Sequence, residues 1–231
     1  MRRVLPMIAS PHTGGQLETR PHPPVRQGET GDVIVGGVVA HVPSGHDAER
    51  PLGLLVMLHG AGGVPDQAMA YVRAAADRLS FAILAPKSAD MSWDVTCGGF
   101  GPDVAQIDQA LAAAFDAHAI DPARVAIGGF SDGASYALSL GLANGTVFRS
   151  ILAFSPGFNA APRRSGTPRV FIAHGIHDTV LAIDRTSRRL VPRLRQDGVS
   201  VEYVEFDGPH TVPPPIVTRA LAWWLDGRDG T

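Results

Sequence analysis

The chain has 231 residues, 45% of them hydrophobic and 18% charged, with a formal net charge of −2 at pH 7. That length suits one α/β domain or two very small ones, buries enough apolar surface to need no disulfide or metal, and the composition excludes a disordered chain. The near-neutral charge, without a basic run, gives no electrostatic reason to expect nucleic-acid or acidic-membrane binding, and the single cysteine, Cys97, excludes an internal disulfide framework.

At the amino end, "MRRVLPMIAS" carries an apolar stretch that is short and broken by Pro6, a poor secretory signal. No apolar run reaches the length of a membrane span, so the cytoplasm is the expected location. Residues 1–31, rich in Pro, Gly and polar groups, read as an irregular arm ahead of one domain over residues 32–231. "VIVGGVVAHV" predicts one or two antiparallel strands, and "LGLLVMLHG", which has no alternation, a strand buried on both faces. "DQAMAYVRAAADRLS" predicts a helix capped by Asp66. Strand "FAILAP", helix "PDVAQIDQALAAAFDAHA", strand "RVAIGGF" and a helix from Ser131 to about Ala143 follow. Strands "RSILAFS" and "PRVFIAHG" come next with no clear helix between them. A helix from about residue 184 to 196, with Asp184 as its cap, strand "VSVEYVEF" and a helix through "IVTRALAWWLD" complete the order. The arginines of "RTSRRLVPRLR" form a solvated face, and Cys97 is expected to be buried or idle. Adjacent Trp223 and Trp224 place at most one ring inward on a helix; the other is expected at an interface, which leaves a homodimer open, or on the arm.

Strands alternating with helices, the middle ones apolar throughout, describe a mostly parallel sheet covered on both faces, with no segment long enough for a cap domain. In such a sheet chemistry belongs in the loops beyond the carboxyl ends of the strands. Those loops carry, in order, "HGAGG" at residues 59–63, "GGFSDGASYAL" with Ser131, "HGIHD" ending in Asp178, and "DGPHT" with His210. A Gly-x-Ser-x-Gly pattern alone is weak in so glycine-rich a chain, and Ser is also a preferred helix cap. The order Ser, Asp, His, each beyond a strand, is that of an α/β-hydrolase triad. Ser131 is then the nucleophile, His210 the base that takes its proton, and Asp178 the acid that orients His210. The backbone N–H groups of Ala61 and Asp132 are the expected oxyanion donors. Asp207 lies too close to His210 along the chain to reach its far nitrogen and reads as a turn residue. His174, His177 and Asp178 lack zinc-type spacing, so no metal is expected; His59 orders its own loop.

"LHGAGG", "GGFSDGASYAL", "HGIHDTVLAID" and "FDGPHTVPP" resemble the phospholipase/carboxylesterase group of α/β-hydrolases, which includes acyl-protein thioesterases, from about Leu54 to Leu225. The resemblance implies a single-domain α/β-hydrolase fold, the same Ser131, Asp178 and His210 triad, and hydrolysis of carboxylic esters without a cofactor. It places residues 92–103, "SWDVTCGGFGPD", over the edge of the site, which makes Trp93 and Phe100 candidate acyl-pocket residues. Acyl-protein thioesterases usually carry Gln directly after the nucleophile where this chain has Asp132, which argues against a lipidated-protein substrate. The expected activity is serine esterase chemistry through an acyl-enzyme on small or short- to medium-chain acyl esters. A thioesterase or peptidase using the same triad and a non-catalytic ligand-binding protein of the same fold are the alternatives.

Overall fold

The structure, a computed structural model, describes residues 11–44 and 50–227. The strands are β1 (Gly31–Val35), β2 (Val38–Val42), β3 (Leu52–Leu58), β4 (Phe81–Ala85), β5 (Ile120–Phe130), β6 (Ser150–Phe154), β7 (Arg169–Gly175) and β8 (Val201–Phe206). They form one sheet in the order β1-β2-β4-β3-β5-β6-β7-β8. The β1–β2 and β2–β4 pairings are antiparallel and the remainder parallel. The helices are α1 (Pro65–Leu79), α2 (Pro102–Ala117), α3 (Asp132–Ala143), α4 (Ser187–Gln196) and α5 (Pro214–Leu225).

The unbroken apolar run of β3 is buried at every position because both faces of the sheet are covered. Its side chains divide with the strand's period of two. Leu52, Leu54, Val56 and Leu58 join the core beneath α2, α3 and α4. Leu55 and Met57 face the opposite core with α1 and α5. The β6–β7 connection contains no helix, as its sequence suggested.

Several local expectations change. Asp66 does not cap α1; Val64 is the cap residue, Pro65 takes the first helical position, and the Val64 N–H donates to Gln67 Oε1 at 3.2 Å. Asp184 does not cap α4; it lies in a 3-10 turn, and Arg188 pairs with it at 2.8 Å while also reaching Glu205. Cys97, expected to be buried or idle, is exposed, which removes only the first of those alternatives. Trp224 is buried edge-on to Phe81, and Trp223 packs on Phe171 beneath the Arg169 guanidinium rather than on the arm.

Of the arm read over residues 1–31, and of the signal reading with it, residues 1–10 lie outside the described residues. The described part has a 3-10 turn at Pro11–Gly14 and is held by two buried side chains. Asp108 of α2 faces His12 and accepts the Glu18 and Thr19 N–H groups, each at 3.0 Å. Burial pushes this carboxyl up, but those partners outweigh it and hold it below its ordinary value. Asn144, just past α3, accepts the Leu17 N–H and donates to Gly15 O. Among the described residues no helix is long and apolar enough to cross a membrane.

Candidate active site

Ser131 stands where β5 turns into α3, with φ 59° and ψ −120°, a left-handed-side conformation that costs a non-glycine residue about 1–3 kcal/mol. The turn closes because Gly133 lacks a side chain: a Cβ there would lie 2.4 Å from His59 O and 2.6 Å from Leu58 O. Ser131 occupies the cap position of α3, yet its side chain makes no capping bond. Its Oγ instead lies 2.9 Å from His210 Nε2. Of the two uses foreseen for this serine, the hydroxyl is committed to the imidazole.

His210 reaches Ser131 because the loops after β7 and β8 are laced together. The Ile176 N–H donates to Phe206 O and the His177 N–H to Gly208 O. Gly175 is pressed against the second loop, where a Cβ would meet Gly208 O at 2.3 Å. His210 Nδ1 then lies 2.5 Å from Asp178 Oδ2. A carboxylate only accepts, so Nδ1 carries the proton and Nε2 is left to accept from Ser131. Asp178 Oδ1 accepts the Val180 and Leu181 N–H groups. Burial pushes its carboxyl up, but the hydrogen bonds from His210, Leu181 and Val180 prevail and hold it below its ordinary value.

Asp207 and His177 pair with each other at 2.9 Å on the surface, so neither joins the site. His174 faces Asp178 Oδ2 at 3.1 Å, with Nδ1 on Ser187 Oγ and Nε2 on Leu181 O. Burial lowers its pKa and keeps it neutral, so it steadies the loop that holds Asp178. This supporting role for His174 was not read from "HGIHD". A further grouping of ligand-type atoms, His12, Glu18 and Asp108, is the arm anchor described above.

On the other side of Ser131, residues 59–63 form the loop after β3. His59 is buried; its Nδ1 donates to Gly60 O at 2.7 Å and its Nε2 accepts the Ser88 N–H at 3.1 Å. Burial, with Lys87 nearby, lowers its pKa, so the ring is a neutral brace rather than a reacting group. The Ala61 and Asp132 N–H groups take no partner among the described hydrogen bonds; that of Asp132 is the first of α3, which a helix ladder leaves unused. Trp93 and Phe100 do not line an open pocket. Trp93 is fully buried and stacked on Tyr136 at 5.2 Å, and Phe100 is buried against Tyr136 and Gly15.

Open space is found on the α1 side of the loop after β3. A cleft of about 450 Å3 is bounded by Ala61 and Gly63, by Gln67 and Tyr71 of α1, and by Phe130. Phe130 meets Tyr71 edge-on, and its ring centroid lies 4.6 Å from that of His210. Phe130 is the variable residue before Ser131 in the motif, the one signal in the sequence that could have marked it.

No family model matches the chain. Over 154 residues it is 29% identical to feruloyl esterase C of Emericella nidulans, a match covering 63% of this chain and 56% of that protein, so the chain spans little more than half of that relative's length. Among solved structures, esterase PE8 superposes with a TM-score of 0.65 at 22% identity, covering 78% of this chain and 94% of that one. The phospholipase/carboxylesterase of Dyadobacter fermentans superposes with a TM-score of 0.59 at 24% identity, covering 85% and 99%. With its eight-stranded, mostly parallel sheet and helices on both faces, this chain is an α/β-hydrolase in fold.

Proposed function

We propose that the protein is a serine carboxylic-ester hydrolase acting on small-molecule esters. The observation that carries this reading is the unbroken run from Ser131 Oγ through His210 to Asp178, at 2.9 and 2.5 Å. The esterase and carboxylesterase names of its relatives agree with it.

Ser131 Oγ attacks the ester carbonyl as His210 Nε2 takes the hydroxyl proton, and the carbonyl π electrons move onto oxygen. The Ala61 and Asp132 N–H groups meet that oxyanion, aided by the positive end of α3. The tetrahedral species collapses: the C–O bond to the alcohol breaks, and His210 returns its proton to the leaving oxygen. Water, deprotonated by His210, then attacks the acyl-enzyme and releases the acid and the serine. Asp178 stays ionised throughout and stabilises the imidazolium. The cleft beside Tyr71 and Phe130 receives one limb of the ester, and its open form suits small or short- to medium-chain acyl groups.

The test is hydrolysis of p-nitrophenyl esters from acetyl to palmitoyl, with a feruloyl ester added because of the relative of that name. Ser131→Ala should lower kcat by about 10^4-fold or more. A fluorophosphonate should label the parent protein and leave this variant unlabelled. Equal turnover by both proteins would overturn the reading, and turnover confined to thioesters or amides would replace the ester by that class.

A further inference from the structure

The two expected oxyanion donors belong to different elements, Ala61 to the loop after β3 and Asp132 to the first turn of α3. Oxyanion stabilisation requires donors set before the reaction begins, and displacement by about 1 Å costs roughly a hundredfold in rate. The β3–β5 pairing at Leu58 and Gly129 fixes part of their spacing, and a segment that grips both elements fixes it further. Residues 87–93, which follow β4, do so.

On the oxyanion loop, Lys87, the only lysine in the chain, donates through Nζ to Gly63 O at 2.8 Å. The Ser88 N–H donates to His59 Nε2 at 3.1 Å, and Trp93 Nε1 to His59 O at 2.9 Å. The Gly62 N–H, next to Ala61, donates to Met91 O at 2.6 Å. On α3, Ser92 Oγ donates to Asp132 Oδ2 at 2.6 Å, and Trp93 stacks on Tyr136. The far end is moored to α2: buried Asp103 accepts the Ala89 N–H through Oδ1 at 2.7 Å and the Asp94 N–H through Oδ2 at 2.8 Å. One segment thus bonds to both donor-bearing elements and to a fixed helix beneath them. The Ser92–Asp132 bond joins it to the residue that supplies the second donor.

We propose that Ser92 is a positioning residue: by holding the side chain of Asp132, its hydroxyl locks residues 87–93 across the two oxyanion donors and sets their separation. The proposal rests on the esterase reading above. It also gives Asp132 a use at the position after the nucleophile, since a carboxylate accepts a short, strong bond from a hydroxyl.

The experiment measures kcat per active site, with sites counted by fluorophosphonate titration, for the parent protein, Ser92→Ala, Ser92→Thr, Asp132→Ala and the double alanine variant. Ser92→Ala should lose about tenfold or more in kcat per titrated site with KM within about twofold, as for an interaction felt in the transition state. Ser92→Thr, which keeps the hydroxyl, should recover most of that loss. Asp132→Ala breaks the same bond from the other side, so the test does not depend on one variant folding. The double variant should lose no more than the worse single one. A lower count of titratable sites with unchanged kcat per site would show a merely structural role and overturn the proposal. A parent without Ser131-dependent turnover would overturn the esterase reading and this proposal together.

Discussion

The proposed acid–base half of the site, on the loops after β7 and β8, differs in kind from the proposed oxyanion half, on the loop after β3 and the first turn of α3, with the segment after β4 bonded to both. Asp178 and His210 are held by bonds within two neighbouring loops, and their proposed roles rest on side chains whose chemistry is visible in their names. The proposed oxyanion half would act through backbone N–H groups, and its supports come from residues 87–93, from Asp103 on α2 and from Tyr136 on α3. Side-chain chemistry is portable along a sequence; backbone placement is a property of everything packed around it.

The largest effect expected in the acid–base half is from Asp178→Asn, which removes the acceptor that fixes the His210 tautomer. It should cut kcat by about 10^4-fold, measured on the best p-nitrophenyl ester; a loss under tenfold would mean that another group orients His210. Gly133→Ala attacks the junction of the two halves. Its Cβ would meet His59 O and Leu58 O, so the midpoint of thermal unfolding should fall by roughly 5–10 °C, and an unchanged midpoint would show that the elbow yields without strain. On the oxyanion side, Tyr71→Ala should reduce kcat/KM by about tenfold for esters that fill the cleft and least for acetate. A uniform effect across the series would place the substrate elsewhere.

The smallest effect tests the buried imidazoles of each half. His59 and His174 both have pKa values lowered by burial from the ordinary 6.5. Below that value the unfolded chain binds protons that the folded chain refuses, so stability should fall as the pH drops through it. The thermal midpoint should be lower by roughly a few degrees at pH 5 than at pH 7. His59→Gln and His174→Gln, measured separately, would assign the loss to one half or the other.

The fold was largely legible because it rests on local rules. The unbroken run of β3 announces a strand covered on both sides, and Pro102 opening α2 or the apolar stripe of α5 announces a helix. The caps at Asp66 and Asp184 were misplaced by short distances, since proline at the first turn and an arginine partner outcompete a carboxylate cap. The burial of Trp93 and Phe100 was not legible. Trp93 and Phe100 belong to a segment near the site, but aromatic rings go wherever apolar volume needs filling, and here that is the core against Tyr136.

By itself the sequence determined the order of strands and helices and singled out the three side chains proposed for nucleophilic catalysis, because periodicity and functional-group chemistry are local. Only the tertiary structure decided that the Ser131 hydroxyl faces His210 rather than capping α3. It alone put the cleft beside Tyr71 and Phe130, and bonded residues 87–93 both to the loop after β3 and to Asp132 of α3. These are distances between elements remote in the chain, and they are set by how closely glycine, backbone and buried rings let those elements approach.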